Sequence, residues 1–218
     1  MNPKVAIGLL SHHGEYHPEM QRSLDALVRY SFKHNIDLII TRHNGSVIPK
    51  LRNEAVKKAM EYNCSHLLFI DSDMVFDKDY LEKLLNLDRD IVGGLCVVRQ
   101  EPFAPVVKKI DDDGIYRVYH GLEDGRFRSD ADAIGTAFML IKIGVFNKIK
   151  PPWFAMPPFG EGVIGEDMYF CKLAKEAGYD ICIDPQMIVG HVGDYVYTFG
   201  DYIEYRDERE RREKEKNK

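Results

Sequence analysis

The sequence predicts an α/β fold with a central, mostly parallel sheet flanked by helices, followed by a smaller second half of mixed or antiparallel strands. Through roughly the first hundred residues, short apolar runs alternate with segments whose apolar residues have helical spacing. The apolar runs do not alternate with polar residues, which is typical of strands covered on both faces. Beyond residue 100 the runs become shorter and more irregular, so the strand–helix alternation is expected to end there.

Four apolar runs predict the strands of the first half, at residues 5–10, 36–40, 67–70 and 91–98. Between them, helical spacing predicts one helix opened by Pro18, a second from Pro49 and a third over residues 77–87. The turn-like sequence HNGS at 43–46 closes the second strand. This order of elements predicts a parallel sheet.

The second half carries turn signals between short β-rich segments. The sequence DDDG at 111–114 predicts a hairpin turn, and further short segments lead to GTAFMLIK at 135–142. A helix from Glu166 to about Ala177 should end at Gly178, because glycine tolerates the left-handed conformation that follows many helices. A last strand at 181–184 is expected to stop at Pro185.

Length and composition favour one domain over residues 1–203 with a charged C-terminal tail over 204–218. The net charge of −5 gives no electrostatic footprint for nucleic acid. No stretch has the ~18 apolar residues that cross a bilayer, and the start of the chain resembles a strand more than a signal peptide. Four cysteines without C-x-x-C spacing predict reduced thiols and a cytoplasmic location.

The tail is almost purely charged and carries opposite charges four residues apart, which weakly support an exposed helix. It lacks an apolar face, so a helix lying on a membrane surface is not expected. A solvated or frayed tail and a segment that binds a partner both remain open.

Asp71 and Asp73 directly follow the third predicted strand. In open parallel sheets, ligands bind beyond the carboxyl ends of the strands. In extended backbone the two side chains project to the same side, where a divalent cation would relieve their repulsion. A solvated turn explains the pair equally well when it is considered alone.

Two other uses of these aspartates fit less well. A calcium-binding EF-hand loop fails because Val75 and Phe76 replace the required acid and glycine. The order Asp71, Asp73, Val75 matches the D-x-D-x-[TV] motif of haloacid-dehalogenase-type phosphatases. That motif usually follows the first strand, however, and GEDMYF lacks the second acid that the phosphatases place three or four residues away.

A second group of polar residues lies far along the chain. Glu166 and Asp167 begin an amphipathic helix, where the helix dipole alone would favour acids. The preceding loop is rich in proline, glycine and aromatics, and we expect Trp153 and Phe154 to be exposed there as a wall for a sugar ring. His191 lies in the sequence GHVG, where glycines allow close backbone approach.

Three blocks in this order make the chain resemble the GT-A-fold, nucleotide-sugar-dependent glycosyltransferases, particularly the family 2-like members. They are LRNEAVKKAMEYNCSHLLFIDSDMVF, AIGTAFMLIKIGVFNKI and the block that runs from GED to GHVG. With the first strand, they span nearly all of residues 4–193. The resemblance implies a GT-A-type fold with a Rossmann-like N-terminal half, and an enzyme that transfers sugar from a nucleotide diphosphate-sugar to an acceptor hydroxyl.

The resemblance also implies roles for individual residues. Asp73 would bind a divalent cation that bridges the donor diphosphate, with His191 as a further ligand and Asp71 assisting the metal or contacting the ribose. Asp167, beside Glu166, is similar to the general base of inverting members. Ser11, His12 and Arg52 fall where the base and diphosphate are held. The oxygen and nitrogen ligands favour Mn²⁺ over Mg²⁺.

The alternatives within this resemblance are a retaining glycosyltransferase and a catalytically silent protein that binds nucleotide-sugar or glycan. The acceptor class stays open among glycans, proteins and small molecules, and the sequence does not specify the donor base or sugar. Proximity of Asp73 and His191, so far apart in sequence, is the sharpest structural expectation.

Overall fold

The computed structural model describes residues 2–160, 162–193 and 195–216. The helices are α1 (Pro18–Lys33), α2 (Ile48–Glu61), α3 (Tyr80–Asn86), α4 (Ile143–Lys148), α5 (Glu166–Glu176) and α6 (Phe199–Lys216). The strands are β1 (Lys4–Ser11), β2 (Asp37–Asn44), β3 (His66–Asp71), β4 (Met74–Val75), β5 (Ile91–Leu95), β6 (Val107–Ile110), β7 (Tyr116–Val118), β8 (Arg128–Ala131), β9 (Ala133–Ile134), β10 (Phe138–Lys142), β11 (Pro158–Phe159), β12 (Gly162–Val163), β13 (Ile181–Ile188), β14 (Gly190–Val192) and β15 (Val196–Tyr197).

A seven-stranded sheet in the order β2-β1-β3-β10-β5-β13-β8 forms the centre of the molecule. Strands β1, β2 and β3 are mutually parallel, and β5 is parallel to β13. Strand β10 runs antiparallel to both of its neighbours, and β8 runs antiparallel to β13. The predicted α/β class, with a central and mostly parallel sheet, is therefore confirmed.

Strand β3 is buried on both faces, which explains its unbroken apolar run. Leu67 and Phe69 pack in the core on one face, with residues of α2 such as Val56. Leu68 and Ile70 pack in the core on the other face, with residues of α1 such as Leu24. Burying each such side chain contributes about 1.5–3 kcal/mol, so this strand is a rigid support for the residues that follow it.

The second half forms smaller antiparallel sheets, as predicted, and also contributes β8, β10 and β13 to the central sheet. The DDDG turn connects β6 and β7, whose ends pair through Ile110 and Tyr116. Helix α5 ends as expected, since Gly178 has a φ of +87°. The expected stop at Pro185 is wrong: β13 continues to Ile188. A register shift between Asp184 and Ile188 accommodates this proline, which has no N–H to donate.

Helix α6 begins against the core and then extends along the charged end of the chain. Phe199 and Tyr202 are buried, and Arg206 is paired with Glu123 at the same end. The expected boundary at residue 203 falls inside this helix. In the part of the chain that the structure describes, no helix is both long and apolar enough to cross a membrane. All four cysteines are buried and unpaired.

Candidate active site

Pairing between β4 and β14 brings His191 to the aspartates that follow β3. His191 is the cross-strand partner of Met74, and the Val192 N–H donates to the Asp73 carbonyl at 2.8 Å. As a result, His191 Nε2 lies 3.3 Å from Asp73 Oδ2, although 118 positions separate the two residues. The expected proximity is therefore present at the carboxyl edge of the sheet.

The second ring nitrogen of His191, Nδ1, fixes the orientation of the imidazole. Its Nδ1 donates to the Val97 carbonyl at 3.0 Å, which directs Nε2 towards Asp73. Burial alone would lower the pKa of His191, but the hydrogen bonds to Asp73 and Val97 outweigh it and raise that pKa. Burial also opposes ionisation of Asp73, yet His191 and the positive charge of Arg99 hold the Asp73 pKa below its ordinary value.

Arg99 is a second cation beside Asp73. Its Nη1 donates to Asp73 Oδ2 at 2.8 Å and to the Val192 carbonyl at 3.2 Å. About half of its side chain is exposed. Asp73 Oδ2 therefore has a positively charged neighbour on the solvent side and an imidazole nitrogen on the protein side.

Arg52 has a different place from the one expected for a diphosphate ligand. Its side chain is only 4% exposed. Two of its nitrogens donate to the two oxygens of Asp71, each at 3.3 Å, and Nε donates to Glu166 at 3.2 Å. These hydrogen bonds pair the guanidinium with acidic side chains of the protein itself. The expectation that Arg52 holds the donor diphosphate is therefore corrected. Asp71 accepts from Arg52 on both oxygens, and its side chain stays partly exposed. A metal-assisting or ribose contact by Asp71 stays a prediction.

Asp167 lies in the first turn of α5, next to the pair formed by Arg52 and Glu166. Its Oδ1 accepts from the Met168 N–H at 2.7 Å, as acids at helix starts commonly do. Burial raises the pKa of Asp167, and the neighbouring charge of Glu166 raises it further. A carboxylate with a raised pKa has increased affinity for a proton, which is the property that a general base needs.

A cavity of about 200 Å³ connects these groups. It is lined by residues from separate blocks of the sequence, namely Arg52, Asp71, Cys96, Val106, Gly135, Thr136, Ala137, Glu166, Asp167 and His191. Gly135 has no room for a side chain, because a Cβ there would come within 2.7 Å of Val106 Cγ1. The fold therefore gathers the D-x-D, GTA, GED and GHVG sequences around one opening.

Two residues expected to hold the nucleotide do not line this cavity. Ser11 is buried at the end of β1, and its hydroxyl donates to the Glu15 carbonyl at 2.6 Å. The expected contact of Ser11 with the nucleotide is therefore corrected: its hydroxyl fixes the loop after β1. His12 is exposed, with its Nδ1 2.9 Å from Nε2 of His13, so nucleotide binding by His12 stays a prediction.

The expected sugar wall is wrong. Trp153 is buried, and its indole N–H donates to the carbonyls of Phe146 and Ile149. Phe154 is also buried, with its ring stacked on Phe170 at 4.8 Å. Both side chains belong to the core, because Trp153 packs on Phe146 of α4 and Phe154 on Phe170 of α5. Asn53 holds this loop by accepting from the Trp153 N–H at 3.0 Å.

Arg99 and Thr136 belong to the site but were not singled out from the sequence. Arg99 closely follows the run that predicted the fourth strand, so its position at the carboxyl edge was a usable signal. Thr136 lies in the GTAF sequence and carries no such signal, because a threonine beside a strand is ordinary.

Comparisons with known proteins agree with the fold. A family model described as "Glycosyltransferase like family 2" matches residues 19–214. The fold is similar to the crystal structure of A197 from STIV, with 18% identity, 87% of this chain and 86% of that chain covered, and a TM-score of 0.57. It is also similar to TarS 1-349 from S. aureus, with 14% identity, 83% of this chain and 57% of that chain covered, and a TM-score of 0.50. No curated protein sequence matches the chain.

Proposed function

The chain belongs to glycosyltransferase-like family 2 and has the GT-A fold, and on that premise we propose a metal-dependent, inverting transfer of sugar to an acceptor hydroxyl. The donor is a nucleotide diphosphate-sugar. The observation that carries the proposal is the 3.3 Å between His191 Nε2 and Asp73 Oδ2, beside a cavity that also contains Asp167.

Asp73 and His191 fit a divalent cation. An octahedral ion with ligands at about 2.1 Å places adjacent ligand atoms about 3 Å apart, close to the observed 3.3 Å. Metal-binding histidines commonly donate their second ring N–H to a carbonyl, as His191 does to Val97. Among the described residues, no group of three or more acidic, histidine or cysteine side chains is placed so that together they could hold a metal ion. The remaining ligands are then expected from the donor diphosphate and water.

A divalent cation at this position would stabilise the negative charge that develops on the leaving nucleoside diphosphate. The oxygen and nitrogen donors favour Mn²⁺ over Mg²⁺. Arg99, half exposed beside Asp73, adds a positive charge that the same diphosphate can contact.

Asp167 is proposed as the base that takes the proton from the acceptor hydroxyl. A sugar hydroxyl is a weak nucleophile, so a positioned carboxylate contributes about 10²–10⁴-fold in rate. Arg52 opposes the rise in the Asp167 pKa that burial and Glu166 cause. Its positive charge therefore favours the ionised carboxylate, the form in which a base accepts a proton. Asp71 stays a candidate for donor binding through its partly exposed carboxylate, which Arg52 orients.

The acceptor is a glycan, a protein or a small molecule. A cytoplasmic location is proposed on the four buried, unpaired cysteines, which are compatible with a reducing compartment.

The test begins with a thermal-shift screen of UDP-, GDP-, dTDP- and CMP-sugars with and without Mn²⁺. A ligand at 100 times its Kd adds about 2.7 kcal/mol to stability, which is readily detected. The anomeric configuration of the transfer product is then read by NMR. Inversion is expected, whereas a retained configuration would assign the retaining reaction and remove the base role of Asp167.

A further inference from the structure

Thr136 is a buried polar residue whose hydroxyl has no partner within the described chain. Its side chain is 1% exposed, and Oγ1 makes no hydrogen bond to any described residue. A buried hydroxyl without a partner has given up its hydrogen bonds to water without replacing them, which is unfavourable. Thr136 also lines the cavity that contains Asp71, Asp167 and His191. The cavity is therefore where a partner for this hydroxyl can be supplied.

The backbone around Thr136 spans the distance between the two functional sides of the cavity. The Ala137 carbonyl accepts from the Asp71 N–H at 3.1 Å, on the side of the D-x-D sequence. On the other side, a Cβ at Gly135 would lie 3.9 Å from Asp167 Oδ2. Thr136 is thus held between the residues proposed for the donor and the residue proposed for the acceptor.

In a displacement at a sugar carbon, the transferred sugar must lie between the leaving diphosphate and the attacking hydroxyl. That place is next to Thr136. We propose that the Thr136 hydroxyl forms a hydrogen bond with a hydroxyl of the transferred sugar and so selects which sugar is accepted. The inference rests on the proposed glycosyltransfer and adds a residue that determines sugar specificity.

The missing partner distinguishes this role from a structural one. A structural hydroxyl loses a hydrogen bond when valine replaces threonine, and the protein loses stability. At Thr136 the fold makes no such bond, so Thr136→Val keeps the shape and is expected to leave the unfolding midpoint unchanged or raised. Ser31 provides a matched control, because its hydroxyl is also buried and without a partner among the described residues, but it lies in α1 and does not line the cavity.

The experiment measures binding by calorimetry in Mn²⁺ for the full chain and three variants: Thr136→Val, Thr136→Ser and Ser31→Ala. The probes are UDP, GDP and dTDP, and the sugar conjugates UDP-glucose, UDP-N-acetylglucosamine, GDP-mannose and dTDP-glucose. For the conjugate that binds the natural chain, Thr136→Val should weaken binding or kcat/KM by about 10–100-fold, while the matching nucleoside diphosphate binds unchanged. Thr136→Ser should recover most of the loss, and Ser31→Ala should lose nothing.

Equal binding of the conjugate by Thr136→Val and the natural chain would overturn the inference while leaving the proposed function intact. An equal loss for the nucleoside diphosphate and for its conjugate would also overturn it, because the effect would then not concern the sugar. If no conjugate binds the natural chain with Mn²⁺, the proposed function fails, and this inference fails with it.

Discussion

Arg52 balances the negative charges of the acidic side chains that line the cavity. A single buried guanidinium faces Asp71 and Glu166, and Asp167 lies beside them. Burial alone would lower the pKa of Arg52, but the two acids outweigh that effect and raise it. The run of apolar residues in β3 can therefore end in Asp71 without an unpaired charge at the edge of the core.

Replacing Arg52 should destabilise the fold. Arg52→Met leaves Asp71 and Glu166 without their cation, at a cost of about 3 kcal/mol, the low end for a broken buried pair because both acids keep some water contact. Arg52→Lys should lose less, since it retains the charge but not the two-pronged geometry. Denaturant unfolding gives the difference. Lys58→Met, which breaks an exposed pair on the same helix, is the control and should unfold at the same midpoint; an Arg52→Met protein as stable as that control would contradict the assignment.

Asp167→Asn tests the base directly. The amide keeps the size and can still accept from the Met168 N–H, so the fold and donor binding should be preserved. Transfer should fall by about 10²–10⁴-fold, because the amide does not take a proton at neutral pH. Glu176→Gln, at the exposed far end of the same helix, should retain full activity. Full activity in Asp167→Asn would remove Asp167 from the mechanism.

On the proposed mechanism, the raised pKa of Asp167 sets the acid side of the pH profile. Activity requires the ionised carboxylate, so kcat/KM should fall as pH drops through this pKa, at a higher pH than an ordinary aspartate gives. Glu166→Gln removes a negative neighbour and should move the acid limb to lower pH. The position of the limb, not the height of the profile, is the readout. A limb that stays in place or moves to higher pH would contradict the coupling between Glu166 and Asp167.

At the scale of elements, α6 joins a packed first part to a solvated second part. Phe199 and Tyr202 stack at 5.3 Å, and the Tyr202 hydroxyl lies 3.1 Å from His120 Nδ1. From residue 208 onward, the described ion pairs are exposed pairs within the helix, such as Arg209 with Glu213. Exposed pairs of this kind contribute little to stability.

Two truncations follow from this division. A chain ending at Asp207 keeps the pair between Arg206 and Glu123 and should unfold at nearly the same temperature, with unchanged activity and oligomeric state. A chain ending at Thr198 loses the burial of Phe199 and Tyr202 and should unfold at least about 5 °C lower. Calorimetric melting measures both. A lower midpoint or an altered oligomeric state in the chain that ends at Asp207 would show that residues 208–218 form contacts of their own.

Elements with strong local signals were predictable. The apolar runs of β1, β3 and β5 and the glycine after α5 depend on local chemistry that a sequence displays. The prediction that the last strand stops at Pro185 was wrong because a register shift between β13 and β5 accommodates the proline. Such a shift depends on pairing with a distant strand, which local sequence does not display. The predicted exposure of Trp153 and Phe154 was wrong for a similar reason. Whether an aromatic side chain in a proline-rich loop is buried depends on which distant residues pack against it, and here residues of the core do so.

At the scale of the whole molecule, the site exists because the topology brings distant segments together. The pairing of β4 with β14 places His191 beside Asp73, and the insertion of β10 between β3 and β5 places Thr136 at the same edge. The meeting of these motifs was predicted because their order along the chain resembles that of GT-A-fold glycosyltransferases. The charge partners were not predictable, because Arg52 and Arg99 find their acids only in three dimensions.

The claim that Asp73 and His191 hold the cation for a donor diphosphate is tested most directly by calorimetric titration of UDP, GDP and dTDP in Mn²⁺ or EDTA. The natural chain should bind one of them in Mn²⁺ at least about 100-fold more tightly than in EDTA, and Asp73→Ala and His191→Ala should lose that difference. Arg99→Gln should keep it, because Arg99 pairs with Asp73 from the exposed side. Tight binding in EDTA that survives Asp73→Ala but disappears in Arg99→Gln would contradict the claim and make Arg99 the cation of the site.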